Sequence, residues 1–313
     1  MRLISIICLS AFLFLPTKAW AWGEYGHVTI CEIAYRELTP TARQKVNHLI
    51  SVHPYHSSFN RSCMFADDGP ERSLDPTGKR DKQRSKAHFI NVPRHYDHIG
   101  TSDCVIGPDC TFKAISDEMD ILTNSEASET DQALAMVLIG HWIGDLHQPL
   151  HVSFSDDLGG NNIKTTGTTC RGYYNRRTRK RETPSLHSVW DSCIINNGIF
   201  EYSWIQNLLG WAKHTKSYRA ADRLRAEITD AERSLWRSRD MIVWADESYK
   251  YVISESVGYC VIDEGVCEKP DDALIVDKAY IDTHTPIVKE RMKMASVRLA
   301  HKLNTALDPD YIP

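Results

Sequence analysis

The sequence lacks an apolar segment long enough to cross a membrane. The apolar run at residues 3–14 is interrupted by Ser5 and Ser10. It falls short of the roughly 20 residues that a spanning helix needs, and no second such segment follows. After it come Ala19 and Ala21, small residues at the positions that signal peptidase recognises. We therefore predict that residues 1–21 are a signal peptide. Cleavage between Ala21 and Trp22 would give a secreted or periplasmic protein with no stable membrane association.

Internal repeats, low-complexity linkers and long alternating strand patterns are also missing. Without a linker, residues 22–313 are most simply one domain, and this length can bury a single large core. The chain also lacks the excess of positive charge that a protein coating nucleic acid needs. Its formal net charge is −4, and loss of the signal peptide would remove Arg2 and Lys18. A small negative net charge is compatible with a local basic site and with bound cations.

Helical patterns dominate what is present. Thr39 and Pro40 fit an N-cap and the first helical position, and Thr285 with Pro286 repeats this arrangement. The stretch DQALAMVLIGHWIGDLH predicts a long apolar helix that Pro149 ends. We therefore predict an all-α fold. In the last helix, one face would carry apolar residues at spacings of three or four, namely Val288, Met292, Ala295, Leu299 and Leu303.

Nine cysteines are present, and eight remain once Cys8 is removed with the signal peptide. An even number in an exported chain favours disulfides over thiolate metal sites. Two pairs are close enough in sequence to close local loops, Cys104 with Cys110 and Cys260 with Cys267. We would then pair Cys31 with Cys63 and Cys170 with Cys193, although spacing alone does not fix the connectivity.

Histidine and aspartate recur at spacings that suit a metal site. His141 and Asp145 would project from one helical face, one turn apart, and "LHSVWD" repeats that spacing. A single pair of this kind is more often a surface hydrogen bond, but several together favour metal ligands. Imidazole and carboxylate without thiolate suit zinc in a hydrolytic site. The candidates are His141, Asp145, His151, His187, Asp191, Asp67 in "FAD" and His88 in "AHFINV".

Six motifs in one order, "WGEYGH", "FAD", "HFINV", "HWIGDLHQPLH", "GGNN" and "LHSVWD", resemble the S1/P1 nucleases. These are zinc-dependent, single-strand-specific nucleases that also act as 3'-nucleotidases. The resemblance implies a disulfide-stapled, all-α fold shared with zinc phospholipases C, with three zinc ions in a cleft. It places one ion on Asp67, His88, His141 and Asp145. The second would share Asp145 and take His27 with the free amine and carbonyl oxygen of Trp22, and the third would take His151, His187 and Asp191.

The resemblance also implies how substrate is held. Phe89 and Leu158 match a pair that sandwiches a nucleobase, and Asn161 matches a pocket amide. Asn91 stands where some members have an aspartate that hydrogen-bonds the base, so base preference is expected to broaden or shift. Members usually carry a basic residue at the place of Pro70, and Arg72 would compensate for its absence.

The implied activity is endonucleolytic hydrolysis of single-stranded DNA and RNA to 5'-phosphates. A hydroxide between two zincs would attack phosphorus, with Asp67 and Asp145 as the catalytic carboxylates. 3'-Nucleotides would also be substrates, and we expect a monomer. A zinc phospholipase C on the same scaffold is the alternative, and a non-catalytic, metal-stabilised binding protein is a third class. The phospholipases generally place the next histidine further from the ligating tryptophan and complete their ligand set with glutamate.

Three further features stand beside these motifs. The segment 171–181 carries six basic residues and two tyrosines. It either binds the polynucleotide backbone or is a solvated charged loop. His147 lies two residues past Asp145 and is expected to pack or support the site rather than bind metal. Asn60-Arg61-Ser62 is a glycosylation sequon, usable only in a eukaryotic secretory pathway.

Overall fold

Helices form most of the chain that the structure describes. The computed structural model describes residues 22–68, 87–100, 110–170, 172–175, 180–200, 215–238 and 240–313. Its α-helices are α1 (Gly23–Arg36), α2 (Pro40–Val52), α3 (Phe59–Ser62), α4 (Phe65–Asp68), α5 (Thr111–Thr123), α6 (Glu129–Leu146), α7 (Leu186–Ser188), α8 (Thr215–Ala226), α9 (Asp230–Arg237), α10 (Met241–Val252) and α11 (Lys278–Leu307). Two 3-10 segments (Pro149–His151, Glu255–Val257) and two π-helical segments (Val189–Cys193, Ile195–Ile199) are also present. The predicted all-α class is confirmed.

Helix α6 lies at the centre of the core. It begins after the N-cap Ser128, whose side chain accepts a hydrogen bond from the Asp131 amide, and it ends before Pro149 as predicted. Every residue from Ala133 to Leu146 is buried, as expected of a helix that is apolar on all sides. Helices α1, α2, α5 and α11 pack around it. His141 and Asp145 are therefore held inside the protein.

The last helix begins earlier than the sequence predicts. Helix α11 starts at Lys278, where the Asp277 side chain caps the Tyr280 amide, so the predicted start at Thr285 is wrong. Pro286 lies inside the helix, where it removes one backbone hydrogen bond. Residues on both sides of it, among them Ile281 and Val288, are buried and anchor the helix. The predicted apolar face is buried. No helix in the described ranges, α11 included, is long and apolar enough to span a bilayer.

The strands are short and serve as connections. They are β1 (Ile90–Val92), β2 (Val152–Phe154), β3 (Thr165–Thr166), β4 (Tyr173–Asn175), β5 (Lys180–Glu182), β6 (Val261–Asp263), β7 (Val266–Glu268) and β8 (Leu274–Ile275). They form four two-stranded pairs, of which β4–β5 and β6–β7 are antiparallel. The parallel pair β1–β2 matters most for the site, because its register joins Ile90 to Val152. That pairing brings His88 and His151, which precede these strands, to one end of the sheet.

Three of the four predicted disulfides are present in the structure. Cys31 on α1 is bonded to Cys63 after α3, Cys170 to Cys193, and Cys260 to Cys267 around the β6–β7 hairpin. Cys110 is also disulfide-bonded. Its predicted partner Cys104 lies outside the described residues, so that pairing stays a prediction.

Candidate metal centre

One carboxylate, that of Asp145 on α6, stands at the middle of the buried histidines. Its Oδ2 lies 3.0 Å from Nδ1 of His88 and 3.2 Å from Nε2 of His141. Asp67 on α4 closes this group, with its Oδ1 3.7 Å from the same His141 nitrogen and 3.9 Å from that of His88. These four side chains were predicted to share one ion, and the fold brings them together.

The other oxygen of Asp145 faces a different histidine. Its Oδ1 lies 3.2 Å from Nε2 of His27 on α1, and the His27 ring stacks on that of His141 with centroids 4.0 Å apart. The close approach of α1 to α6 requires Gly144, because a Cβ there would lie 2.9 Å from Nδ1 of His27. Asp145 therefore has one oxygen directed to each of two groups of ligand atoms, as a bridging carboxylate must.

Trp22 is anchored beside this bridge. Its side chain is fully buried, and the indole N–H donates a 2.7 Å hydrogen bond to the carbonyl of Gly144, the residue before Asp145. The Trp22 carbonyl oxygen accepts a bond from the His27 amide at 3.3 Å. The first residue of the predicted mature chain thus lies against both partners of the second predicted ion.

A second cluster lies where α7 passes into a π-helical turn. Asp191 has its Oδ2 3.4 Å from Nε2 of His187 and its Oδ1 3.8 Å from Nε2 of His151. All three side chains are buried and are close enough together to hold one metal ion. Gln148, which sequence analysis did not single out, donates from Nε2 to Oδ1 of Asp191 at 2.6 Å and so orients this carboxylate.

Backbone carbonyls fix the tautomer of three of the histidines. The Nδ1–H of His141 donates to the carbonyl of Cys63 at 2.6 Å, and that of His187 to Gly159 at 2.6 Å. His151 makes the same bond to His88. In the neutral ring, such a bond keeps the proton on Nδ1 and leaves Nε2 available as a metal ligand, which is how ligating histidines are usually held.

The unpartnered atoms at the site fit zinc. In the part of the chain that the structure describes, buried atoms without a hydrogen bond include both ring nitrogens of His27, Oδ1 of Asp145 and Nε2 of His151 and His187. A buried polar atom without a partner costs about 1–3 kcal/mol, which a metal bond would relieve. Tetrahedral zinc with bonds of about 2.0–2.2 Å places its ligand atoms roughly 3.4 Å apart, close to the separations given above. A set of nitrogen and oxygen donors without sulfur is that of a catalytic zinc.

Asp145 and His141 shift each other's pKa toward the charged forms. Burial disfavours ionisation of Asp145, but the charges of His141 and His151 and the close approach of the His141 and His27 rings outweigh it and hold the pKa well below its usual value. Burial lowers the pKa of His141, yet the carboxylates of Asp145 and Asp67 outweigh it and raise that pKa to about 9. Asp145 is therefore an anion, as the predicted ligand shared by two cations should be.

A family model described as S1/P1 Nuclease matches residues 22–308, nearly the whole chain. The chain belongs to the S1/P1 nuclease family. Endonuclease 2 of Arabidopsis thaliana is 25% identical over 319 residues, covering 97% of both chains. Nuclease S1 of Aspergillus oryzae is 26% identical over 93% of each chain. Nuclease P1 of Penicillium citrinum is 27% identical over 61% of this chain and 64% of its own.

Membership of the S1/P1 nucleases makes the protein a hydrolase of phosphodiester bonds and implies dependence on zinc. The resemblance seen in the motifs is thereby confirmed. Neither a phospholipase C nor a non-catalytic binding protein finds support among these relatives, which are named as nucleases and endonucleases.

Four of the predicted substrate residues of this S1/P1 nuclease lie close in sequence to the clustered histidines or to the carbonyls that bind them. Phe89, directly after His88, is 41% exposed, and Leu158, directly before Gly159, is 58% exposed. Large apolar side chains that are this exposed, next to buried polar clusters, are suited to contact the apolar face of a ligand. Asn91 keeps a buried Oδ1 without a hydrogen bond, and Asn161 donates to the Leu158 carbonyl at 2.8 Å. Arg72 and Pro70 lie outside the described residues.

His147 packs away from both clusters, as predicted. Its Nδ1–H donates to the Ile143 carbonyl at 2.7 Å, and its Nε2 accepts from Arg298 at 2.8 Å. Burial and the charges of Arg291 and Arg298 lower its pKa well below the usual value, so the ring is neutral. Both of its nitrogens are occupied, and His147 supports the end of α6.

Proposed function

We propose that the protein is a secreted, zinc-dependent endonuclease that hydrolyses single-stranded DNA and RNA to 5'-phosphate products and also acts on 3'-nucleotides. The observation that carries this proposal is the position of Asp145, whose two oxygens face His27 on one side and His88 with His141 on the other. A second buried cluster nearby is built from His151, His187 and Asp191. We propose that this arrangement holds three ions.

The zinc ions would be held by the sets that the sequence predicts. One would take Asp67, His88, His141 and Asp145, the next would take His27, Asp145 and the terminus at Trp22, and the last would take His151, His187 and Asp191. When bound, zinc supplies a water that is ionised near neutral pH and neutralises charge on phosphate. Asp67 and Asp145 are the carboxylates that orient this chemistry, so we assign them as catalytic.

The terminal amine of Trp22 enters only after the signal peptide is removed. An amide nitrogen has no basic lone pair to offer a metal, whereas a free amine does. Anchoring of the indole on Gly144 and of the carbonyl near His27 supports this role. We therefore propose that residues 1–21 are cleaved from the chain, leaving residues 22–313 as the working enzyme.

Single-strand preference would come from Phe89 and Leu158. Stacking of a base on such side chains is worth about 1–3 kcal/mol whatever the base, and only an unpaired base can enter between them. Both side chains are exposed and each adjoins a residue bonded to a clustered histidine. The basic segment 171–181, which lies partly outside the described residues, is proposed as an additional binding site for the backbone of longer strands.

A panel of substrates tests the proposal. Mature protein would be incubated with single-stranded DNA, RNA, duplex DNA, a 3'-nucleotide and phosphatidylcholine, with and without chelator. We expect cleavage of the single strands and the 3'-nucleotide, 5'-phosphate ends on the products, little cleavage of duplex and none of the lipid. A preference for duplex DNA, or products that end in 3'-phosphate, would contradict the proposed function.

A further inference from the structure

A buried acid, Asp157, lies next to the proposed nucleobase contact and belongs to neither cluster of predicted metal ligands. Asp157 is fully buried, and its Oδ1 accepts a 2.8 Å bond from the Gly160 amide and another from the Tyr259 hydroxyl. Its Oδ2 pairs with the guanidinium of Arg94. All three groups that bind this carboxylate are donors, so Asp157 is engaged within the fold.

The partners of Asp157 come from two segments that carry proposed substrate contacts. Arg94 follows β1, the strand that begins just after Phe89, whereas Asp157 directly precedes Leu158. The Arg94 guanidinium also pairs with Asp156 at 2.8 Å and lies 4.2 Å above the Phe154 ring centroid. The ion pair therefore links the chain around Phe89 to the chain around Leu158.

The loop after Asp157 needs such support. Leu158, Gly159 and Gly160 have φ angles of 58°, 64° and 80°, three successive residues in the left-handed region. For leucine this conformation is strained and persists only where the surroundings hold it. The bond from the Gly160 amide to Asp157 spans this turn, and the Gly159 carbonyl is fixed by His187 at 2.6 Å. The turn leaves the Leu158 side chain directed to solvent.

Tyr259 completes the arrangement from the β6–β7 side. Its hydroxyl accepts a 3.1 Å bond from Ser153 on β2 and donates to Asp157. Burial and the neighbouring charge of Asp157 raise the pKa of Tyr259 well above its usual value, so the hydroxyl remains a donor. Removing this hydroxyl would loosen the loop without removing a charge or a metal ligand.

We infer that Asp157, held by Arg94 and Tyr259, is a positioning residue that sets the nucleobase contact by fixing Leu158 opposite the segment that carries Phe89. This inference rests on the proposed function, because it assumes that these two side chains hold a base. It assigns the Asp157 group a role in substrate affinity that depends on the base, and none in the hydrolysis of the phosphodiester itself.

Two oligonucleotides of equal length separate these roles, one of thymidines and one with an abasic tetrahydrofuran at every position. We expect Asp157→Asn to raise KM for the thymidine strand about tenfold, within the range of about 5- to 150-fold that base stacking supplies in full, and Tyr259→Phe about threefold, a partial loss below that range. The kcat for that strand, kcat/KM for the abasic strand and zinc content should stay as in the parent protein. Tyr249→Phe is the matched control, because it removes a buried hydroxyl bonded to the Tyr96 carbonyl, and we expect no change from it.

The variant Phe89→Ala separates failure of the inference from failure of the proposed function. If Phe89→Ala leaves KM for the thymidine strand unchanged, the proposed base contact is wrong. If it raises that KM while Tyr259→Phe and Asp157→Asn do not, the inference is wrong. Equal losses on both strands, or loss of zinc from Tyr259→Phe, would also overturn it, since the group would then be general support. Tyr259→Phe keeps the test decisive if Asp157→Asn does not fold.

Discussion

Two groups of buried polar side chains lie near the C-terminal end of α6, and they differ in how completely they are paired. The metal centre leaves several nitrogens and oxygens without hydrogen bonds, including those of His27, His151 and His187. The second group consists of His147, Glu247, Arg291 and Arg298, and none of its atoms is left in that state. Burial of histidine and carboxylate therefore does not by itself indicate a metal site.

The second group is held by charged hydrogen bonds. Arg298 donates to Glu247 at 2.7 and 3.0 Å and to His147 at 2.8 Å. Arg291 donates to Glu247 at 3.0 Å and to the Ser248 hydroxyl at 2.7 Å. What distinguishes the metal centre is a set of buried nitrogens and oxygens that point at one another and lack hydrogen-bond partners among the described residues. A bound cation would supply the missing partner of these atoms, whereas the second group needs none.

Removal of metal should have the largest effect. With zinc stripped by a chelator, we expect almost complete loss of nuclease activity and a fall in Tm of about 10 °C for each ion lost, because a tightly bound ion stabilises the fold by about 4 kcal/mol when present at about 1,000 times its Kd. Differential scanning calorimetry and turnover of single-stranded DNA measure both. Added zinc should restore them, and nuclease activity that survives exhaustive chelation would falsify the metal mechanism.

Asp145→Asn and Glu247→Gln should affect different properties although each neutralises one acid that is paired with buried side chains. The neutral amide introduced by Asp145→Asn is a poor ligand between two cations, so we expect a large loss of zinc content and activity. Loss of the Glu247 charge leaves Arg291 and Arg298 buried without their partner, which should lower the free energy of unfolding by about 3–5 kcal/mol. Zinc content of the folded Glu247→Gln protein should be unchanged. Equal zinc loss in both variants would contradict the distinction.

Two adjacent residues allow a finer comparison. Gln148→Met removes the donor that orients Asp191, and loss of such a partner commonly weakens metal affinity by about 10- to 100-fold. His147→Leu leaves Arg298 short of an acceptor and should lower the free energy of unfolding by about 1–3 kcal/mol. Zinc titration and chemical denaturation of both variants would separate the roles. The comparison fails if His147→Leu weakens zinc affinity as much as Gln148→Met does.

The sequence predicts the clustered side chains well because helical geometry sets their spacing. His141 with Asp145, and His187 with Asp191, need only the rise of one turn to face the same ion. Their hydrogen-bond partners are less predictable. The carbonyls of Cys63 and Gly159 lie 78 and 28 residues from the histidines they bind, and any residue type could supply a carbonyl.

Other features carry no sequence signal, or a misleading one. Proline at 286 matches the first position of a helix, yet Asp277 caps the helix two turns earlier. Arg291 and Arg298 stand seven residues apart on α11 and are buried with its apolar face, where charged residues are not expected. Gln148 lies within the motif "HQPLH", and an amide between two histidines near a predicted metal site was the available indication of its role.

The smallest expected effect concerns a third buried polar group, at Asn60. Its amide nitrogen donates to Oε2 of Glu32 at 2.6 Å and to the Tyr218 hydroxyl at 3.0 Å, and its Oδ1 accepts from the Arg61 amide at 2.8 Å. Asn60 is only 7% exposed, and Ser62 of the same sequon is buried. A glycan would replace one hydrogen on the nitrogen that donates to Glu32 and Tyr218, so at most one of these two bonds could remain.

We therefore expect the sequon at Asn60 to remain unmodified in folded protein secreted from a eukaryotic host. Intact-mass spectrometry should give the mass of the polypeptide alone for residues 22–313, unchanged by a deglycosylating enzyme. Asn60→Gln should have no effect on electrophoretic mobility and should lower the free energy of unfolding by about 1 kcal/mol, because the longer side chain cannot make the same bonds. A glycan found on active enzyme would mean that Asn60 is not hydrogen-bonded as the structure has it. Complete hydrogen bonding would then not distinguish structural polar groups from groups that bind metal or are modified.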